Sequence, residues 1–516
     1  MPEYLSPGVY VEEFDIGPKP IEGVSTSTAG FLGETERGRT TPWLVTSWLD
    51  YQRNYGGYFG PDKYLPYAVK GFFDNGGQRC YIGRIVKFVD TPATNATLAL
   101  GDLTATAIGE GAWGNRISII VETGEANTAQ NPLFKLRMYY WKTLPESLYD
   151  PEDEGNVKTL PRPTFSEIFD NLSVNEDSPN FYEKRVNDVS KMITLSSGDG
   201  DTVSTPNAPG QLTYMEGGED GDGDLVLADF RRTDSDSPGN RRGLTAFKEV
   251  DDIQILYSPN SLAVNGLTDA LITHCELLKD RFAVIDAEQG SADIGNLNPR
   301  NEFETKYAAF YYPWIKIVDA QSGNLRLVPP GGHVIGIYAR SDNTVGVWKA
   351  PANEKVNGVK KLEFPITKGE QDVLNPRGVN AIRAFPGRGI RVWGARTLSI
   401  DTMWKYINVR RLFIFIEESI DEGTQWVVFE PNDQRLWARV RQTIAQFLTA
   451  QWRAGALMGT TPEEAFFVKC DRTTMTQDDI DNGRLICVIG IAPVKPAEFV
   501  IFRIAQFSGG TEIEEI

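Results

Sequence analysis

The chain has 516 residues, a formal charge of -18 at neutral pH, 41% hydrophobic residues and 11% aromatic residues. That length exceeds what one hydrophobic core can hold and predicts roughly two to four domains, and no apolar run approaches the length of a bilayer span, so a soluble, globular protein is expected. The acidic balance argues against general nucleic-acid binding, which needs Lys and Arg to neutralise phosphates; the four cysteines, Cys80, Cys275, Cys470 and Cys487, lack CxxC spacing and read as buried thiols rather than a metal cage or a disulfide set.

Taken in order, residues 1–20 form an extended arm: GVYVEEF (8–14) is set off by Pro7 in front and by Gly17, Pro18 and Pro20 behind. Met1 to Tyr10 lacks the basic flank and apolar core of a signal peptide, so synthesis in the cytoplasm is expected. STSTAGFLGETERGR (25–39) runs small residues into a short strand and a polar turn. SWLDYQRNYGGYF (47–59) places Trp48, Tyr51 and Tyr55 at helical spacing before a Gly-Gly stop, YLPYAVKGFF (64–73) reads as an amphipathic helix ended by DNGG, and CYIGRIVKFV (80–89) reads as a strand.

Beyond Asp90 the pattern changes to short alternating strands, LTATAI (103–108), RISIIVE (116–122) and FKLRMYYW (134–141), which predicts a β-rich insertion over 91–249. The polar stretches EGGEDGDGD (216–224) and RRTDSDSPGNRR (231–242) are expected to be mobile surface loops. The α/β signature returns with DIQILYSP (252–259), a helix over 268–279 and the strand RFAVIDA (281–287), a βαβ unit. YAAFYYPWIKIV (307–318) adds a further strand before a Gly/Pro-rich run at 329–332. Residues 21–90 and 250–375 are therefore one α/β core split by the insertion.

The last block, 376–497, starts with the turn-rich strands of AIRAFPGRGIRVWGARTL (381–398), continues with helices over 403–420 and 433–453, and ends with the strands AFFVKC (465–470) and RLICVIGIAPV (484–494) around a short helix capped by Thr476. A sheet so narrow is marginal alone and invites added strands. EFVIFRIAQF (498–507) follows Pro493 and Pro496. Phe499, Val500, Ile501, Phe502 and Ile504 load both faces of an extended segment, so the arm over 498–516 carries a strand that needs a sheet to join.

Chemical motifs are sparse. Gly109, Gly111 and Gly114 in GEGAWGN match a dinucleotide fingerprint, but a strand-like segment follows where the fingerprint needs a helix, so a glycine-rich hairpin turn is the better reading. Asp220, Asp222 and Asp224 open like a calcium loop, yet Leu225 and Arg231 stand where Gly and Glu are required. The only histidines, His274 and His333, lie in no catalytic motif. No cofactor, metal or enzyme activity is expected. On the helix over 433–453, Leu436, Val440, Ile444, Phe447, Leu448 and Gln451 follow one face while Arg435, Arg439, Gln442, Gln446, Thr449 and Arg453 line another without acids. On so acidic a chain that face reads either as a partner surface or as an ordinary solvated face.

Several segments together resemble the contractile tail sheath proteins: PGVYVEEF (7–14), TAGFLGETERG (28–38), FFDNGGQRCYIGRI (72–85), GEGAWGN, RGVNAIRAFPGRGIRVWGART (377–397), WKYINVRRLFIFIEESI (404–420) and the run from PEEAFFVKC to FRIAQF (462–507). Residues 127–240 carry no such resemblance. The resemblance implies a mixed α/β, multidomain fold whose small α+β C-terminal domain is completed by strands from neighbouring subunits, with Val9, Tyr10, Val11 and Phe14 on one donated strand and Phe499, Val500, Ile501, Phe502, Ile504 and Phe507 on the other. It further implies stacked hexameric rings around an inner tube protein, capped by baseplate and terminal proteins, with Arg435, Arg439, Gln442, Gln446 and Arg453 facing the tube and the insertion facing outward. Nucleic acid and membrane insertion play no part in it. The implied role is mechanical: contraction drives the tube through an envelope, in a phage tail or a tail-like particle, cytoplasmic or released. A static shell or filament built by strand exchange and a nucleotide-dependent enzyme are the alternatives.

Overall fold

The computed structural model describes residues 20–198, 203–208, 210–232, 237–261 and 263–503. Its centre is a nine-stranded sheet in the order Glu354–Lys355, Gly389–Val392, Val379–Phe385, Ala308–Tyr312, Phe282–Asp286, Ile255–Tyr257, Ala29–Gly33, Cys80–Arg84, Trp43–Val45. The six strands from Val379–Phe385 to Cys80–Arg84 run parallel, and the outer ones pair antiparallel. Every residue of Ala29–Gly33, Ile255–Tyr257, Phe282–Asp286 and Ala308–Tyr312 is buried. Strands covered on both faces read as continuous apolar runs, which is why these four stand out in the sequence.

The sheet brings Ala29–Gly33 and Cys80–Arg84 against strands that begin only at Ile255, so the two flanks of the insertion build one core. It also runs past the expected limit at 375. Val379–Phe385 pairs with Ala308–Tyr312 and turns back through Gly389–Val392, because its buried, β-branched first half completes the apolar layer. At the other boundary, Phe230, Leu244 and Phe247 pack into the main core, so the chain rejoins it before 249.

YAAFYYPWIKIV is two strands rather than one. Pro313 has no N–H to continue the ladder; Ala308–Tyr312 stays in the main sheet while Ile315–Val318 leaves it to pair with Leu325–Val328 and Val359–Leu362. The Gly/Pro-rich run at 329–332 leads directly into a 14-residue helix, Gly331–Thr344. This helix packs on Leu65–Asp74, with Gly332 against the Ala68 backbone and Gly336 against that of Phe72.

The insertion holds a four-stranded sheet (Thr213–Tyr214, Ile117–Thr123, Phe134–Tyr140, Phe165–Leu172) and a three-stranded one (Thr97–Leu100, Leu103–Ala107, Ile193–Ser197) around its own core of Trp113, Phe134, Met138, Tyr182 and Met192. The acidic loop expected to be mobile is tied down. Glu216 and Glu219 bridge to Thr97 and Thr94, Asp220 accepts from the Ala112 N–H at 2.9 Å, and Asn115 exchanges two hydrogen bonds with Gly218.

With the strands of 381–398 lost to the main sheet, the C-terminal unit keeps the rest of its expected content: helices Ile407–Gly423, Gln434–Arg453 and Gln477–Asp481 with strands Phe466–Lys469 and Val488–Ile491. Thr476 and Asp479 form a capping box on the short helix. Leu412, Phe415, Val440, Ile444, Phe447 and Leu448 make its core, each side chain worth roughly 1.5–3 kcal/mol on burial. Among the described residues no helix is long and apolar enough to cross a membrane.

Candidate assembly interface

The root of the C-terminal arm is pinned before the arm leaves. After Val488–Ile491 the Ala492 carbonyl accepts from the Met458 N–H at 2.8 Å and the Val494 N–H reaches the Ala456 carbonyl at 3.2 Å. The chain then forms one wall of a groove of about 780 Å³ lined also by Trp348, Gln371, Trp393, Arg396 and Tyr406. There Glu498 accepts from Arg396 Nε and Nη2 (2.7 and 2.8 Å), Asn375 Nδ2 (2.8 Å) and the Tyr406 hydroxyl (2.9 Å), with Lys405 Nζ at 3.4 Å. Burial opposes the charge on Glu498, but the bonds from Arg396 and Asn375 outweigh it and bring the carboxyl down to about 2.

Immediately past this clamp the side chains turn outward. Phe499, Val500, Ile501 and Phe502 are 69, 68, 79 and 83% exposed. Four consecutive large apolar residues left this open are unlike anything in the three cores. Of the other predicted arm residues, Val9, Tyr10, Val11, Phe14, Ile504 and Phe507 lie outside the described residues.

Residues 21–26 lie along the helix Ile407–Gly423, whose N-cap, Tyr406, bonds Glu498. Ile21 packs with Phe415 in the C-terminal core, the Val24 N–H donates to Ser419 Oγ at 3.1 Å, and Arg411 Nη2 donates to the Thr26 carbonyl at 2.8 Å. At the helix start Tyr406 holds Glu498 and Asn408 Nδ2 donates to the Val494 carbonyl. Ile407–Gly423 therefore anchors both arm roots. Beside them the two-stranded sheet pairs Phe466–Lys469 with Val488–Ile491, leaving Phe467 and Val488 exposed.

Loss of the clamp has a measurable outcome. Replacing Glu498→Gln removes charge-assisted bonds worth roughly 1.5–3 kcal/mol, so amide exchange at Val494 and Glu498 should accelerate about tenfold or more while the core amides are unmoved. A carboxyl lowered by folding stabilises above its unfolded value of 4.5 and loses that contribution as pH falls toward about 2. The wild-type arm root should accordingly loosen across that window and the Gln variant should not.

The helix Gln434–Arg453 starts at Asp433, whose carboxylate accepts from the Arg435 and Leu436 N–H groups at 2.9 Å. Leu436, Val440, Ile444, Phe447 and Leu448 are buried as their spacing predicts, joined by Trp437 and Thr443; Gln451 is only half-buried. Arg435, Arg439, Gln442, Gln446 and Arg453 are all exposed, and Arg439 lies over the Trp426 ring at 4.6 Å. The helix carries no carboxylate. Just ahead of it Phe429 is fully exposed with a left-handed backbone, φ 67°, beside an exposed Val428. A bulky residue at positive φ is strained. The sequence signal for it is an apolar VVF set in front of the polar turn EPND.

Elsewhere the structure brings together little that could do chemistry. GEGAWGN forms a short 3-10 turn, Ala112–Arg116, rather than a hairpin, and runs straight into Ile117–Thr123. Burial holds both histidines neutral, His274 near 3 and His333 near 4. Asp286, pushed up to about 7 by burial, accepts from the Tyr257 hydroxyl at 2.6 Å at the start of Gly331–Thr344. No cluster of His, Cys, Asp and Glu among the described residues could hold a metal.

The comparisons with known proteins match this architecture. The profile of the phage tail sheath protein central domain covers residues 237–398, and that of the phage tail sheath C-terminal domain covers residues 399–507. The first ends where the main sheet does and the second takes in the anchoring helix and the arm. The tail sheath protein of Vibrio phage KVP40 is 26% identical over 285 residues, 54% of this chain and 40% of that one. This chain thus spans about two fifths of that relative's length. Among solved structures, a chain of the anti-feeding prophage baseplate is 25% identical with a TM-score of 0.56 over 98% of this chain and 100% of its own. A chain of the PVC sheath complex, from an extracellular contractile injection system in its contracted state, shares the fold at 24% identity and a TM-score of 0.58, over 98% of this chain and 99% of its own. Abutting profiles over residues 237–507 and a fold shared end to end place the chain in the tail sheath protein family.

Proposed function

We propose that this protein is the subunit of a contractile sheath, a mechanical polymer of stacked rings around an inner tube within a phage tail or tail-like particle. The supporting observation is the run of four exposed apolar residues that leaves a clamped root beside a sheet of only two strands. An apolar segment left exposed among the described residues and a sheet short of strands are complementary, and β-augmentation between copies satisfies both. The chain just after the N-terminal arm and the root of the C-terminal arm both bond to Ile407–Gly423, so a neighbour's pull on either arm is transmitted to the same body. Subunits can then rotate and spread during contraction while the strand pairs persist. The fold serves as a mechanical part with no catalytic role. Imaging of the purified protein should show rings or tubes, in two lattice states of different length and diameter; a single lattice under every condition would favour a static filament, and protein that stays monomeric at all concentrations would defeat the reading.

The basic, carboxylate-free face of Gln434–Arg453 is assigned to the inner tube, with baseplate and terminal proteins meeting the ends of the polymer. Reversing charge with Arg435→Glu and Arg439→Glu should weaken co-assembly with the tube about tenfold or more, since close like charges across an interface cost several kcal/mol. Self-assembly through the arms should be unaffected. Co-sedimentation with tube at matched ionic strength measures both, and unaltered tube binding would remove the assignment.

A further inference from the structure

The pairing of the two C-terminal strands sets two cysteines face to face. Lys469 lies opposite Val488, so the next residue outward on each strand, Cys470 and Cys487, are cross-strand neighbours at the end of the ladder. Directly opposed residues of an antiparallel pair have Cα atoms about 4.5–5.5 Å apart, inside the roughly 4.4–6.8 Å range that a disulfide spans. The two thiols are close enough to shift each other's titration, Cys470 downward and Cys487 upward. Cys470 is fully buried while Cys487 is only partly buried, so Cys487 is the more open residue of the pair. Cys80 and Cys275, by contrast, are sealed separately in the main core.

We propose that Cys470 and Cys487 form a thiol pair that closes to a cross-strand disulfide on meeting a low-molecular-weight disulfide such as glutathione disulfide. The sulfur of Cys487, the less buried residue, attacks one sulfur of the oxidant. A mixed disulfide forms, and one glutathione leaves as thiolate and takes up the proton that Cys487 gave up. Cys470 then attacks the Cys487 sulfur, the second glutathione leaves with the Cys470 proton, and the protein disulfide is complete. The two cysteines are oxidised by two electrons and one glutathione disulfide is reduced to two thiols. In the mixed disulfide Cys470 still faces the Cys487 sulfur across the end of the ladder, and the charge of Arg441 favours its thiolate against the effect of burial. Closure holds the strands Phe466–Lys469 and Val488–Ile491 in register whether or not other strands join them.

The test uses the full chain. Reduced protein, acid-quenched, unfolded and alkylated, takes up four groups, one per cysteine. After incubation with glutathione disulfide it should take up two, on Cys80 and Cys275, with a peptide linking Cys470 to Cys487 and no retained glutathione; dithiothreitol should restore all four. A Cys470→Ser variant should stop at the first step and keep glutathione on Cys487. Four alkyl groups after oxidation, glutathione retained on wild-type Cys487, or loss of label at Cys80 or Cys275 would each overturn the proposal. If Cys470→Ser does not fold, the wild-type label count decides alone.

Discussion

A chain ending at Glu498 should fold as the full protein does and fail to polymerise. None of the three cores includes Phe499, Val500, Ile501 or Phe502, so their removal takes little from the monomer's packing, and the thermal midpoint should move by no more than about 2 °C. Stopping after Glu498 keeps the carboxylate that pairs the buried Arg396; cutting before it would strand that charge and confuse an assembly defect with a folding defect. Covering four large apolar side chains is worth about 6–12 kcal/mol, and ordering four residues takes back about 4–8 kcal/mol. The remaining ~2–4 kcal/mol per contact corresponds to a loss of roughly two orders of magnitude in association. Sedimentation velocity at the concentration where the full chain forms rings or tubes should show subunits only. Assembly of the shortened chain at that concentration would mean that the arm is not the joint.

How far the sequence speaks for itself differs from element to element. The central strands are legible because burial on both faces makes them apolar throughout, and Gln434–Arg453 is legible because its 3.6-residue period separates Leu436, Val440 and Ile444 from Arg435, Arg439 and Gln442. The membership of Val379–Phe385 in the main sheet is hidden. It follows Pro376 and Gly378, which look like a linker, and only its pairing with a strand some 70 residues earlier, Phe310 opposite Val379, shows where it belongs. The clamp on Glu498 is hidden for the same reason: its partners Asn375, Arg396 and Tyr406 lie 92–123 positions away, and nothing local distinguishes this glutamate. Periodicity reports which face of an element is covered, and says nothing of which distant segment covers it.

Gly331–Thr344 is the sharpest case, because its glycines mislead by themselves, and it yields the prediction with the clearest sign. In an exposed helix interior, Gly→Ala stabilises by about 1 kcal/mol, since alanine restricts the unfolded chain and favours the helix. At Gly336 the opposite should hold. A Cβ there would sit 2.4 Å from the Phe72 carbonyl oxygen and 2.7 Å from Asn75 Cβ, on the neighbouring helix Leu65–Asp74 and its cap. A backbone oxygen cannot swing aside as a long side chain can, so the two helices must separate. That separation would also part Gly332 from the Ala68 backbone, where the approach would be closer still, at 2.3 Å. Forcing such contacts costs about 1–3 kcal/mol, and Gly336→Ala should lower stability by about that much in denaturant titration. Gly369, in the short helix Lys368–Leu374, has open space within 4 Å of the point a Cβ would occupy and does not sit at positive φ. Gly369→Ala should therefore raise stability by a few tenths to about 1 kcal/mol. The same substitution with opposite signs at two helical glycines separates close packing from helix propensity; equal effects at both sites would show that the two helices do not meet as closely as these distances require.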